Sequence, residues 1–142
     1  MYINNLRSDI INNCLFCKII RDEVSNYTLY EDDIFKVFLD INPSTNGDCL
    51  IVTKKHILNI YDIDNTTFKH LLDVERKIFD LLKEKLNCIG MTIIQNNEYG
   101  QEVKHFHVHM TPRYKDDKLK HVYDSNGLIK LDDIYKTIKP LS

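Results

Sequence analysis

The chain has 142 residues, 43% of them hydrophobic and 28% charged, with a formal net charge of −2. Size and balance fit one soluble globular domain rather than a disordered tail, and four Gly with three Pro leave no room for a flexible linker. The charge excludes the basic footprint of a dedicated nucleic-acid binder, and no apolar run approaches the roughly 20 residues that cross a bilayer.

Residues 1–12 are polar and expected at the periphery. Asn, Arg and Asp interrupt their apolar residues, so they lack the h-region of a secretory signal. A cytoplasmic location follows as an expectation. The four Cys are then reduced thiols or metal ligands rather than disulfides. Cys14 to Ile20 is a short apolar stretch, either a turn of helix or a tight knuckle. The runs 27–31 and 34–39, separated by Asp32-Asp33, predict a β-hairpin. Turn formers crowd 42–48, and 49–53 reads as a buried strand. Behind the N-cap chemistry of Asp64 to Thr67, apolar residues from Phe68 to Leu86 recur at three- and four-residue spacing. They predict one long amphipathic helix ending near Asn87. Strands are expected over 91–95 and 104–111, and a short helix over 131–138. Strands, one long helix, then strands, without repeated crossovers, indicate an α+β fold with a mainly antiparallel sheet.

Half of the six histidines fall within five residues, His105-Phe-His107-Val-His109. In a strand they share one face, because side chains alternate. A polar outer face that happens to be His-rich is the plainest reading. A three-histidine metal site fits poorly, since positions two apart in a strand are separated by about 6.7 Å whereas zinc–nitrogen bonds are about 2.0–2.1 Å. A nucleophilic site is the third reading. Imidazole has an unperturbed pKa of about 6.5 and offers a lone pair at neutral pH, provided its other nitrogen is held by a hydrogen bond.

The segment His105-Phe-His-Val-His-Met-Thr-Pro-Arg113, preceded by Gly100-Gln101, resembles the histidine triad (HIT) family motif, His-φ-His-φ-His-φ-φ with φ apolar. Cys14 to Ile20 is similar to the N-terminal segment of the family's bacterial Hint-like branch. Phe38 to Ile41 resembles its ribose-binding strand end, Gly47 to Ile57 its next strand, and Asn96 an asparagine before the phosphate loop. The similarity spans about 13–114. It implies a single HIT domain over 1–142 with a peripheral 1–12 and a C-terminal extension over 115–142. The implied fold is HIT-like: a mainly antiparallel five-stranded sheet, one long helix and short terminal helices.

The resemblance implies a nucleotidyl hydrolase or transferase cleaving nucleoside phosphoramidates or related nucleoside monophosphate conjugates, with a purine nucleotide as substrate. His107 matches the nucleophile, which forms a nucleotidyl-histidine intermediate. His109 contacts phosphate and supports proton transfer, Gln101 sits near phosphate oxygens, and His105 completes the catalytic triad. Backbone N–H groups around Glu102 and Val103 stabilise phosphoryl charge. Asp40 accepts from the ribose hydroxyls. Phe16, Ile19, Phe38 and Ile41 match the walls around the base; without the resemblance they read as core. Asn96 completes the nucleotide-binding set. Many relatives carry Ser or Thr at position 102, where a carboxylate repels phosphate unless protonated or turned outward. Alternative readings are a dinucleoside polyphosphate hydrolase, or a nucleotide-binding or scaffold protein with weak catalysis.

Cys14-x-x-Cys17 has the spacing of a zinc knuckle but supplies only two of four ligands. Buried small residues or a redox pair are the other readings. Some bacterial relatives bind structural zinc through this pair and two histidines, which map to His56 and His105. Cys49 and Cys88 read as core thiols, and His70 and His121 as surface residues. A homodimer is implied by the resemblance alone.

Overall fold

The computed structural model describes residues 2–139 and 141. Met1, Pro140 and Ser142, the extreme ends of the expected single domain, lie outside them. Two helices come first, α1 (Tyr2–Asn13) and α2 (Leu15–Ile20). The strands are β1 (Thr28–Glu31), β2 (Phe35–Leu39), β3 (Cys49–Thr53), β4 (Gly90–Ile94) and β5 (His107–Arg113), with α3 (Asn65–Leu86) between β3 and β4 and α4 (Leu131–Ile138) near the C-terminus. They form one antiparallel sheet in the order β1-β2-β3-β5-β4.

Asp32 builds the first hairpin. Its backbone N–H donates to the Phe35 carbonyl at 3.0 Å. Its Oδ1 accepts from the N–H groups of Ile34 and Phe35 at 2.8 and 2.7 Å. The register then sets Phe35 against Thr53 and Val37 against Ile51. Every residue of β3 is buried, because both faces of the sheet are covered. On one face, Val37, Ile51, Val108 and Met110 pack against Leu71, Val74, Ile78 and Leu82 of α3. Each such fully buried aliphatic side chain contributes about 1.5–3 kcal/mol. On the other face, Phe16 and Ile19 of α2 cover Phe38, Leu50 and Val52.

The long helix forms where the sequence predicts it. Asp64 is the N-cap, accepting from the Thr67 N–H at 2.8 Å, and Asn87 closes the end in the left-handed conformation at φ 56°. Its buried stripe is centred on Leu71, Val74, Ile78 and Leu82, leaving Phe68 and Leu72 exposed. Gly47 serves the turn before β3. Its φ is +90°, and a Cβ there would lie 2.6 Å from Leu86 Cδ1. Residues 1–12, read as polar and peripheral, supply most of helix α1, with Leu6 and Ile10 exposed.

Two expectations are corrected. The last strand starts at His107, not at 104. The chain turns just before it, where the His105 N–H donates to the Val103 carbonyl and the Phe106 N–H to the Ile57 carbonyl, both at 2.8 Å. The three histidines therefore do not share one strand face. His70 is not a free surface residue: Nε2 lies 2.6 Å from Asp32 Oδ2 and its ring packs on Phe35 at 5.7 Å. Burial alone would raise the Asp32 pKa, but hydrogen bonds from His70, Phe35, Tyr30 and Ile34 outweigh it and hold the carboxyl well below its usual range.

Candidate active site and metal centre

A cavity of about 690 Å³ opens on the α2 face of the sheet. Phe16 and Ile19 come from α2, Phe38 from β2, and Leu50 from β3. Phe16 meets Phe38 edge-on at 5.8 Å and the His107 ring at 4.9 Å. Ile41 lines the same cavity but is 80% exposed, so it belongs to the rim rather than the wall. Asp40 follows β2. Its Oδ1 accepts from the Asn42 N–H at 2.9 Å, and Oδ2 has no hydrogen-bond partner among the described residues. Asn96, Gly100, Glu102 and Val103 reach the cavity from the loop between β4 and β5.

His107 and His109 point to this face from β5, opposite Val52 and Leu50 of β3. Their rings meet at 5.0 Å. His107 Nδ1 donates to the His105 carbonyl at 2.7 Å. A carbonyl only accepts, so the proton sits on Nδ1 and the Nε2 lone pair is free. Burial holds the His107 pKa below its ordinary 6.5, outweighing the His105 hydrogen bond and the carboxylates of Asp40 and Glu102. The ring is therefore neutral at neutral pH, as a nitrogen nucleophile requires.

His105 takes a different place. It is fully buried and does not line the cavity. Its Nε2 donates to the Thr53 carbonyl at 2.6 Å. That fixes Nδ1 as the lone-pair nitrogen, 3.4 Å from Cys14 Sγ and 3.5 Å from Cys17 Sγ. Cys17 Sγ is also 3.2 Å from His56 Nδ1. The four ligand atoms lie within 4.8 Å of one another. A tetrahedral zinc site with these bond lengths has edges of about 3.5 Å, so two thiols and two imidazoles fit a divalent cation. Burial pushes the Cys17 thiol up to about 12, with Cys14 adding to it, and lowers His105 to about 4. The neutral imidazole is ready to ligate, and a bound cation would displace the thiol proton. The His105 ring, expected to complete the catalytic triad, stands apart from the cavity: Nε2 bonds to Thr53, Nδ1 faces the two cysteines, and its carbonyl accepts from His107.

Gln101, expected near phosphate oxygens, does not line the cavity. It is buried, its Nε2 donates to the Leu58 carbonyl at 2.7 Å, and its Oε1 accepts from the Glu98 N–H at 3.3 Å. Its side chain braces the loop from beneath. The N–H groups of Glu102 and Val103, by contrast, donate to no group among the described residues.

Sequence reasoning passed over Asp48 and Thr111, which line the cavity together. Thr111 Oγ1 donates to Asp48 Oδ1 at 3.1 Å, and Oδ2 accepts from the Ser44 N–H at 2.8 Å. It also passed over Lys36, buried beneath α2. Lys36 Nζ donates to the Ile19 carbonyl at 3.3 Å and to Asp22 Oδ1 at 2.7 Å. The alternation of β2 was the available signal, since it places Lys36 on the same face as Phe38.

Comparisons with known proteins agree with this geometry. Residues 21–116 match the model of the HIT domain. The chain is 37% identical over 128 residues to an uncharacterized HIT-like protein of Methanocaldococcus jannaschii, covering 89% of this chain and 98% of that one. It is 32% identical over 107 residues to the adenosine 5′-monophosphoramidase of Saccharomyces cerevisiae, covering 74% of this chain and 65% of that protein. The crystal structure of a zinc-bound histidine triad family protein from Mycobacterium smegmatis superposes with a TM-score of 0.74 at 31% identity, covering 82% of this chain and 86% of that one. The chain belongs to the HIT family.

Proposed function

We propose that this protein hydrolyses nucleoside 5′-phosphoramidates, or related conjugates of a purine nucleoside monophosphate, through a nucleotidyl-histidine intermediate on His107. One observation carries the reading: the 2.7 Å hydrogen bond from His107 Nδ1 to the His105 carbonyl leaves Nε2 unprotonated at the cavity wall. Nε2 attacks the α-phosphorus. The N–P bond to histidine forms as the bond to the leaving nitrogen breaks. That nitrogen departs with the electron pair and takes a proton from solvent, leaving as an amine. Water then adds to phosphorus and loses a proton to solvent as the Nε2–P bond breaks and its electron pair returns to Nε2, releasing the nucleoside monophosphate and free His107. On this reading the N–H groups of Glu102 and Val103, which donate to no group among the described residues, serve the phosphoryl oxygens. Asp40 Oδ2 is open to accept from the ribose hydroxyls, and Phe16, Ile19 and Phe38 give the base an apolar wall.

Zinc is the cation proposed for Cys14, Cys17, His56 and His105; bound there, it ties α2 to the start of β5 as a structural cross-link. A homodimer is proposed from the β4 edge of the sheet, with exposed Ile93 on that strand and exposed Ile89 just before it. Four free cysteines support a reducing, cytoplasmic setting.

The test incubates the protein with adenosine 5′-phosphoramidate and with diadenosine polyphosphates, comparing wild type with His107→Asn. Wild type is expected to release adenosine monophosphate from the phosphoramidate, and His107→Asn to bind it without turnover. Rapid-quench mass spectrometry should find the nucleotidyl group on His107. Label on another side chain, or binding by wild type without turnover of either compound, would reject the reading.

A further inference from the structure

Glu102 is exposed within the cavity wall, five residues before the nucleophile. It makes no hydrogen bond or ion pair among the described residues. The neighbouring cation does not pair with it: Lys104 Nζ donates to the carbonyls of Glu98 and Gln101, both at 2.8 Å. Nor does the rest of the cavity: among the described residues no Lys or Arg lines it, and its carboxylates are Asp40, Asp48 and Glu102. Asp48 is satisfied internally by Thr111 and Ser44, and Asp40 sits beyond β2 beside the apolar wall. Glu102 instead comes from the β4–β5 loop, whereas Phe16, Ile19, Phe38 and Asp40 come from α2, β2 and the residue after it. An unpaired carboxylate here repels a polyanionic leaving group and attracts a cation.

We propose that Glu102 selects the leaving group by charge, so that the preferred substrates are nucleoside monophosphate conjugates whose departing amine carries a second, cationic group. This rests on the phosphoramidate reading and narrows its substrate class. It also gives the carboxylate a use at a position where contact with phosphate would be unfavourable.

The experiment uses three adenosine 5′-phosphoramidates on the full chain, formed with 1,4-diaminobutane (cationic), pentylamine (a neutral isostere) and 4-aminobutyrate (anionic). Wild type is expected to favour the cationic over the neutral conjugate in kcat/KM by about three- to tenfold at low salt, with the ratio shrinking as salt is raised. Glu102→Gln should bring that ratio to about one, and Glu102→Lys should invert the order toward the anionic conjugate. The residue is exposed, so neither change removes core packing. An unchanged ratio in Glu102→Gln would overturn the proposal. Dissociation constants for the same series on His107→Asn, with and without Glu102→Gln, separate the two ideas. If wild type turns over none of the conjugates, the hydrolase reading fails. The charge selection still stands if binding follows the same order, and falls if binding ignores charge.

Discussion

The backbone carbonyl of His105 orients the His107 ring, while the side chain of His105 is clamped between Thr53 and two cysteines. The candidate metal cluster and His107 are therefore neighbours through two residues of chain, and disturbing one should disturb the other. Cys17→Ser is expected to abolish zinc binding, read by elemental analysis of untagged protein. It should also lower the thermal midpoint and reduce kcat by about tenfold or more, as loss of an orienting shell does. Full activity in a zinc-free Cys17→Ser protein would show that the carbonyl is held without the metal.

The acidic limb of the pH–rate profile reports the protonation of His107. Its pKa lies below 6.5 through burial, so the neutral ring predominates above that value and is lost as pH falls below it. The profile of kcat/KM should be flat from pH 7 upward through neutrality and decline with a midpoint under 6.5. A midpoint above 6.5 would show that the carboxylates of Asp40 and Glu102 outweigh burial.

Lys36 anchors α2 from below through the Ile19 carbonyl and Asp22. Lys36→Met keeps the apolar stem and removes the donor. We expect a loss of about 1–3 kcal/mol in urea denaturation. Nucleotide affinity should fall with it, because Phe16 and Ile19 ride on the same helix. Asp22→Asn, at an exposed carboxylate, should cost less. Equal losses in the two variants would place the anchoring in the ion pair rather than in the carbonyl contact.

Gly47→Ala should destabilise by about 1–3 kcal/mol. The position needs φ +90°, and the added carbon meets Leu86 Cδ1 at 2.6 Å and Pro112 Cγ at 3.3 Å. Thermal unfolding checks this. A change under about 0.5 kcal/mol would mean that the end of α3 yields freely.

The long helix was legible because its signals are local: an Asp64 cap, a three- and four-residue apolar rhythm, and Asn87 at the end. The hairpin and the 131–138 helix were legible for the same reason. The triad motif pointed to His107 and His109, and the structure sets both in one cavity with Asp40, Phe16 and Phe38. What escaped depends on chain segments far apart in sequence. Alternation put His105 in line with the other two, but the Phe106 N–H bonds to Ile57, and the strand begins only afterwards. Nothing near Gln101 announces that Leu58 will take its amide. Nothing near His70 announces Asp32, 38 residues away.

The strand that bears His107 and His109 lies inside the sheet, with β3 on one side and β4 on the other. Both imidazoles are thus fixed to a backbone laddered from two directions, while α2 and the 95–106 loop approach as separate attachments. Drift in those attachments can reshape the cavity rim without displacing His107 Nε2. Diversification in such a scaffold should concentrate at the rims and leave the reactive geometry inherited intact.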